Sequence, residues 1–149
     1  AKEALSDEYI FIVKYHYLVS DKIDWTPYKG FVYTFDETKD IAWLYLVSDM
    51  LITDYSSAMF DYSILNRPML FFAYDLEDYK ENLRGFYFDF VNDIPGPISR
   101  DTDQLIKDIK EYNEDSWKEK YKNYHDKFNG IDDGHASQKV IDVIKKVSR

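Results

Sequence analysis

Apolar residues fall along the chain in short blocks divided by polar turns, and the spacing inside each block predicts its element. The run YIFIVKYHYLV from Tyr9 to Val19 is nearly all apolar, aromatic or β-branched, the pattern of a strand buried on both faces of a parallel sheet. A polar stretch with Asp21, Asp24 and Pro27 follows, then Gly30 to Phe35 as a second short strand. Ile41, Leu44 and Tyr45 recur at helical spacing and predict a helix over Asp36 to Val47. Met50 to Thr53 is a third apolar run. It stops at Asp54-Tyr55-Ser56-Ser57, whose short polar side chains suit the start of a helix running from Ser57 to Leu65. Asn66-Arg67-Pro68 ends that helix, Met69 to Ala73 predicts another buried strand, and Leu76 to Leu83 a short helix.

Strand and helix therefore alternate, which calls for parallel strands joined by right-handed crossovers. The expected fold class is α/β, a Rossmann-like doubly wound parallel sheet. Phe86 to Phe90 is expected as an edge strand, and Asn92 to Pro97, with Pro95 and Pro97 around Gly96, as a loop. Asp101 to Tyr112, Ser116 to Phe128 and Ala136 to Val147 then read as three charged amphipathic helices. They make residues 98–149 a C-terminal helical segment of one domain spanning 1–149, the default for a chain of 149 residues.

Composition narrows the chemistry. Hydrophobic residues make up 45% and aromatics 18%, enough for a packed core and against intrinsic disorder. The absence of Cys removes disulfides, thiolate metal sites and Cys nucleophiles, and suits a cytoplasmic setting. A net charge of -9 argues against a broad nucleic-acid or anionic-membrane surface, so any phosphate ligand must be held locally. No run of apolar residues is long enough to span a bilayer, and Ala1 to Glu8 lacks the layout of a signal peptide.

In open α/β sheets ligands gather at the carboxyl ends of strands, and two features fall there. Thr53-Asp54-Tyr55-Ser56-Ser57 joins a strand end to a helix start, where free N–H groups, the helix dipole and two hydroxyls favour an anion such as a diphosphate. On spacing alone, Asp54 or Ser56 serves equally well as a plain helix cap. Asp61, one turn beyond Ser57, shares its face and could accept hydrogen bonds from sugar or polyol hydroxyls, or simply be solvated. The second feature is Lys14-Tyr15-His16 near the end of the first apolar run. Lys14 and His16 share one sheet face and could together neutralise an anion. His16 could act as a general base or donate to phosphate, or be a core histidine bonded to backbone. Arg84 is a weaker phosphate candidate. His125 and His135 form no metal-ligand spacing with His16, and neither GxGxxG nor GxxxxGK[ST] occurs, so neither a metal nor a nucleotide cofactor is indicated.

The run SDMLITDYSSAMFDY at residues 48–62 resembles the signature of the CDP-glycerol glycerophosphotransferase family, the teichoic acid polymerases and primases. The likeness continues through RPMLFF at 67–72, YDLEDY at 74–79, RGFYFD at 84–89, PGP at 95–97 and DDGHAS at 132–137. The resemblance implies the C-terminal, donor-binding half of a GT-B fold. It implies phosphate binding by Ser56 and Ser57, a donor contact by Asp61, and substrate binding by Lys14, Tyr15 and His16, with His16 catalytic. Lys14 stands where that family usually has Arg, replacing a bidentate fork with a point charge. The family's opening strand, with a Pro-Thr-Phe/Trp-Arg type motif, and its other domain with a second His are not found in these residues. The chain is therefore expected to be a truncated domain, inactive alone.

The implied reaction transfers glycerol phosphate from CDP-glycerol to a lipid-linked polyol-phosphate acceptor, releasing CMP, in an enzyme peripheral to the inner face of the cell membrane. Membrane contact would come only through other parts of that enzyme. The alternatives are a CDP-ribitol or other nucleotide-sugar transferase domain, and a non-catalytic α/β interaction module.

Overall fold

The first four apolar runs marked as strands each pair in parallel with a neighbour. The computed structural model describes residues 1–15, 23–36, 38–79 and 87–147. Strand β1 (Phe11–Val13) lies beside β2 (Val32–Thr34), with Ile12 opposite Tyr33. A second sheet runs in the order β3 (Leu51–Thr53), β4 (Met69–Phe72) and β5 (Ile98–Ser99), also parallel throughout. Helices α1 (Lys2–Leu5), α2 (Ile41–Val47), α3 (Ala58–Ser63), α4 (Leu76–Asp78), α5 (Phe90–Asp93), α6 (Thr102–Lys110), α7 (Glu114–Phe128) and α8 (Ala136–Val147) complete the described elements, with a 3-10 turn at Thr26–Tyr28.

Alternation along β4 sorts the core into two layers. Met69, Phe71 and Ala73 point into a cluster with Tyr45 of α2, Met59 and Tyr62 of α3 and Tyr121 and Tyr124 of α7. Leu70 points the other way, against Leu5 of α1, Phe31 and Ile109 of α6. Helices therefore cover both faces of the strands, the α/β arrangement that the sequence implies. Met69, Leu70 and Phe71 are fully buried, and each such side chain contributes about 1.5–3 kcal/mol relative to exposure.

Several polar groups inside this frame are paired. The Arg67 guanidinium donates to the carbonyl oxygens of Tyr45, Leu46 and Ser48 at 3.3, 2.9 and 2.7 Å, putting a cation on the C-terminal end of α2 where the dipole favours one. Tyr62 donates to the same Ser48 carbonyl at 2.9 Å. The Ser63 hydroxyl shares its one proton between Asn129 Oδ1 and the Phe60 carbonyl, to which Asn129 Nδ2 also donates at 3.0 Å, locking α3 to the end of α7.

Several expectations are corrected. Residues 87–90 hold no strand: Asp89 caps α5 by accepting from Asn92 N at 3.2 Å, so the chain turns into a helix at Phe90. The sheet edge is instead β5, a two-residue strand entered from Pro95-Gly96-Pro97. Helix α2 begins at Ile41 because Asp40 caps it, accepting from Ala42 N at 2.9 Å, while Asp36 folds back onto Thr38. In β1, expected to be buried on both faces, Ile12 is 37% exposed. Every described residue of α8 is exposed, including Val140, Ile141, Val143, Ile144 and Val147.

Two stability effects follow. A Cβ on Gly96 would sit 1.8 Å from the Met69 carbonyl oxygen, so Gly96→Ala should cost more than about 3 kcal/mol in urea unfolding by splitting β4 from β5. Burial pushes the Tyr62 phenol up to about 12, offset in part by Arg67. Its folded value lies above the unfolded one, so the stability is complete below about pH 10 and is lost as pH rises toward 12, by up to about 1.4 kcal/mol per pH unit. Urea unfolding at pH 8 and pH 11 should show a smaller loss in Tyr62→Phe than in the wild type.

Candidate functional site

Strand β3 delivers its carboxyl end, Thr53-Asp54-Tyr55-Ser56-Ser57, to the surface just before α3. The turn is built from its own side chains. Asp54 Oδ1 accepts from Ser56 N at 3.0 Å, and Ser56 Oγ accepts from Ala58 N at 3.2 Å. Ser56 thus bonds the first amide of α3, the role that spacing alone allows it, whereas Asp54 closes the turn ahead of the helix. Ser57 makes no side-chain capping bond. Asp54, Ser56 and Ser57 are all exposed.

Tyr55 holds the turn from beneath. Its hydroxyl donates to Asp75 Oδ1 at 2.9 Å, beyond the end of β4, and its ring stacks on Tyr79 with centroids 4.0 Å apart. Burial, and then the Asp75 carboxylate accepting its proton, push the Tyr55 phenol far above its ordinary value. It stays neutral and donating across the accessible pH range. This support was not drawn from the sequence. The signal was present in the alternation: a tyrosine between exposed Asp54 and Ser56 must point inward.

A cavity of about 850 Å³ joins this turn to the end of β1. Lys14, Tyr15, Asp54 and Ser56 line it together, beside Leu44, Tyr45 and Tyr62. The structure thus brings three of the candidates, Lys14, Tyr15 and Ser56, to one hollow. Tyr15 accepts a hydrogen bond from the Trp25 indole, which fixes its ring. Ser57 and Asp61 are exposed on α3's start and first turn and do not line the cavity. Asp61 lies close enough to Tyr45 for its charge to raise that phenol, after burial, the larger cause. His16, the catalytic candidate, and Arg84 lie outside the described residues.

An exposed hydroxyl pair, one lysine and a helix start can hold a diphosphate through hydrogen bonds and one compact charge. Among the described residues no group of three His, Asp or Glu side chains is gathered to hold a metal ion, and no helix is long and apolar enough to cross a membrane. A second hollow, about 500 Å³, opens at the amino end of β4 and is lined by Arg67, Trp117, Tyr121 and His125. No site candidate lies there.

Comparison with known proteins gives consistent results. Residues 1–146 match the family described as CDP-glycerol:poly(glycerophosphate) glycerophosphotransferase. The chain is 44% identical over 147 residues to a teichoic acid poly(glycerol phosphate) polymerase of Bacillus subtilis, covering 97% of this chain and 20% of that protein. It is 43% identical over 152 residues to a teichoic acid poly(ribitol-phosphate) polymerase of Bacillus spizizenii, covering 94% and 22%. Among solved structures, a variant of the wall teichoic acid polymerase TagF soaked with CDPG superposes with a TM-score of 0.84 at 40% identity, covering 97% of this chain and 36% of that one. The chain thus spans about a fifth of the two curated relatives and about a third of the solved one.

The turn itself is open to test. Asp54→Ala should lower stability by about 1 kcal/mol by freeing the Ser56 amide, read as a lower urea midpoint, while Asp54→Asn, which keeps an acceptor, should lose less than half of that.

Proposed function

Since the chain belongs to the CDP-glycerol:poly(glycerophosphate) glycerophosphotransferase family, we propose that residues 1–149 are one domain of a longer enzyme, the part that binds its nucleotide-linked donor. Residues 98–149 are the helical segment of that domain. The enzyme transfers glycerol phosphate from CDP-glycerol to a growing polyol-phosphate polymer. A terminal hydroxyl of the acceptor attacks the β-phosphorus, a new O–P bond forms, the bond to the bridging oxygen breaks, and CMP leaves. The hydroxyl proton passes to a base.

Each candidate has a place in that step. Ser56 and Ser57 donate to the diphosphate, and Lys14 adds a charge from across the hollow. His16 takes the proton or stabilises the transferring phosphoryl group. Asp61 accepts from a hydroxyl of the polyol; next to phosphate it would repel, so its partner is neutral. Catalysis of this kind rests on positioning and on charge stabilisation. The acceptor is lipid-linked, and the enzyme works at the cytoplasmic face of the membrane through parts outside these residues.

The observation that carries this reading is the shared hollow that joins Lys14 and Tyr15 to Ser56 at the carboxyl ends of two parallel strands, where open α/β sheets take their ligands. A ribitol donor is the second reading, favoured by the similarity to a poly(ribitol-phosphate) polymerase. It uses the same diphosphate contacts and differs at the polyol. A non-catalytic interaction module would bind no nucleotide at all.

Calorimetric titration of the full-length enzyme with CDP-glycerol, CDP-ribitol and a UDP-sugar separates these readings, because the preferred ligand names the donor. The Ser56→Ala, Ser57→Ala double variant should raise the Kd for the donor at least tenfold, about 1.4 kcal/mol. Unchanged affinity in that variant would remove the diphosphate site.

A further inference from the structure

The hollow of about 500 Å³ at the amino end of β4 has the volume of a ligand site, and its lining differs from that of the donor turn. α7 turns one basic stripe toward it. Lys118, Lys122 and His125 stand four and then three residues apart, so they share a face with about one helical turn between neighbours. The Arg67 guanidinium, bonded through Nη1 to the end of α2, adds its charge from the α3–β4 loop. The whole chain carries a net charge of -9, yet residues 118–127 hold four Lys and one His against Glu119 and Asp126, a local reversal of sign. These cations are available to a ligand. Lys118 and Lys122 are exposed, and the 3.3 Å pair of Lys122 with Asp126 lies in solvent, where such pairs hold weakly.

Neutral and acidic groups complete the lining. Tyr112 and Trp117 are half-buried aromatic walls. Tyr121, 9% exposed, lies deeper, and its hydroxyl has no hydrogen-bond partner among the described residues. Burial pushes this phenol far up, so it stays protonated; the Arg67 amide lies near and opposes the shift without making a hydrogen bond. A buried hydroxyl left unpaired is costly, and a ligand oxygen that accepts from it removes that cost. Glu114 and Asp115 also line the hollow, in the first turn of α7 where the dipole favours acids. They repel phosphate and accept from hydroxyls. The hollow thus has a basic end, a carboxylate end and aromatic walls between.

An occupant suited to it carries anions repeated at about the pitch of a helix, hydroxyls, and C–H surface to lie on the rings. A polyol-phosphate chain has all three: in glycerol phosphate polymer, three carbons and two ester oxygens part successive phosphates, close to one helical turn when extended. We propose that this hollow is a holding site for the polyol-phosphate chain itself, with successive phosphates on Lys118, Lys122 and His125 and the intervening polyol against Trp117. The inference rests on the reading that the enzyme extends such a chain, and gives that chain a contact separate from the donor turn. β4 spans four residues, about 13 Å at 3.3 Å per residue, so a polymer of a few units can reach from one end of the strand to the other. Binding through repeated charges grows with each unit engaged. CDP-glycerol and a single glycerol phosphate, each with one charged group, therefore gain little here.

The test uses the full-length enzyme labelled with fluorotryptophan, its Trp117 resonance assigned by Trp117→Phe. Synthetic lipid-free tetra(glycerol phosphate) should shift that resonance, and the Lys118→Ala, Lys122→Ala double variant should raise the Kd read there on the order of tenfold or more. Inorganic phosphate and monomeric glycerol phosphate should bind at Trp117 at least about tenfold more weakly than the tetramer. The calorimetric Kd of the double variant for CDP-glycerol should equal that of the wild type, which also shows the fold intact. A silent Trp117 resonance, equal affinity for inorganic phosphate, an equal shift by CDP-glycerol, or an unchanged Kd for the tetramer in the double variant would each overturn the holding site. A wild-type enzyme that holds the tetramer at Trp117 and binds no CDP-glycerol would support the holding site and strike the donor reading instead.

Discussion

The parallel pairing of β3 with β4 is the constraint on which the site depends. Its register, Leu51 against Met69 and Thr53 against Phe71, sends alternate side chains of β4 into opposite cores and stops β3 at the surface. A one-residue slip would move Met69 and Phe71 to the layer of Leu70, and the two cores could not both be filled. The position of Asp54 to Ser57 is therefore inherited from packing far below them. Gly96 belongs to the same constraint, since β5 can approach β4 only where no Cβ meets the Met69 carbonyl.

From this frame the turn gains a combination that loops rarely have. Its polar donors are exposed while its backbone is held by internal hydrogen bonds from Asp54 and Ser56 and by the half-buried Tyr55 to Asp75 contact. A ligand meets a site whose shape is already set, and less ordering entropy is lost on binding. The acidic balance of the whole chain is no obstacle, because Lys14 faces the turn across the hollow and the donors at the turn are neutral hydroxyls. In the proposed reaction this favours a diphosphate held by hydrogen bonds over one held by a basic cradle.

Much of the fold could be read from the sequence because period and composition agree there. Met50 to Thr53 and Met69 to Ala73 are dense in apolar residues and bounded by polar turns, and both are strands; the charged amphipathic stretches after residue 100 are helices. The misreadings have physical reasons. Aromatic density at Phe86 to Phe90 looks like a strand, but the Asp89 cap decides for a helix at Phe90. β5 is too short to leave a periodic signal, and β1 reads as buried on both faces although one of its edges opens on the large cavity. At the site, the exposure of Ser56 and Ser57 follows from a helix start at a strand end. The Asp75 partner of Tyr55 and the closeness of Asp61 to Tyr45 depend on tertiary packing that no local pattern carries.

The central claim is that the donor sits where β3 ends. Mapping amide chemical shifts of the full-length protein during titration with CDP-glycerol addresses it most directly. The account predicts the largest changes at Lys14, Ser56 and Ser57, with Arg67, Trp117 and Tyr121 at the opposite end of β4 unmoved. Changes centred on that opposite hollow, with Ser56 and Ser57 silent, would contradict it.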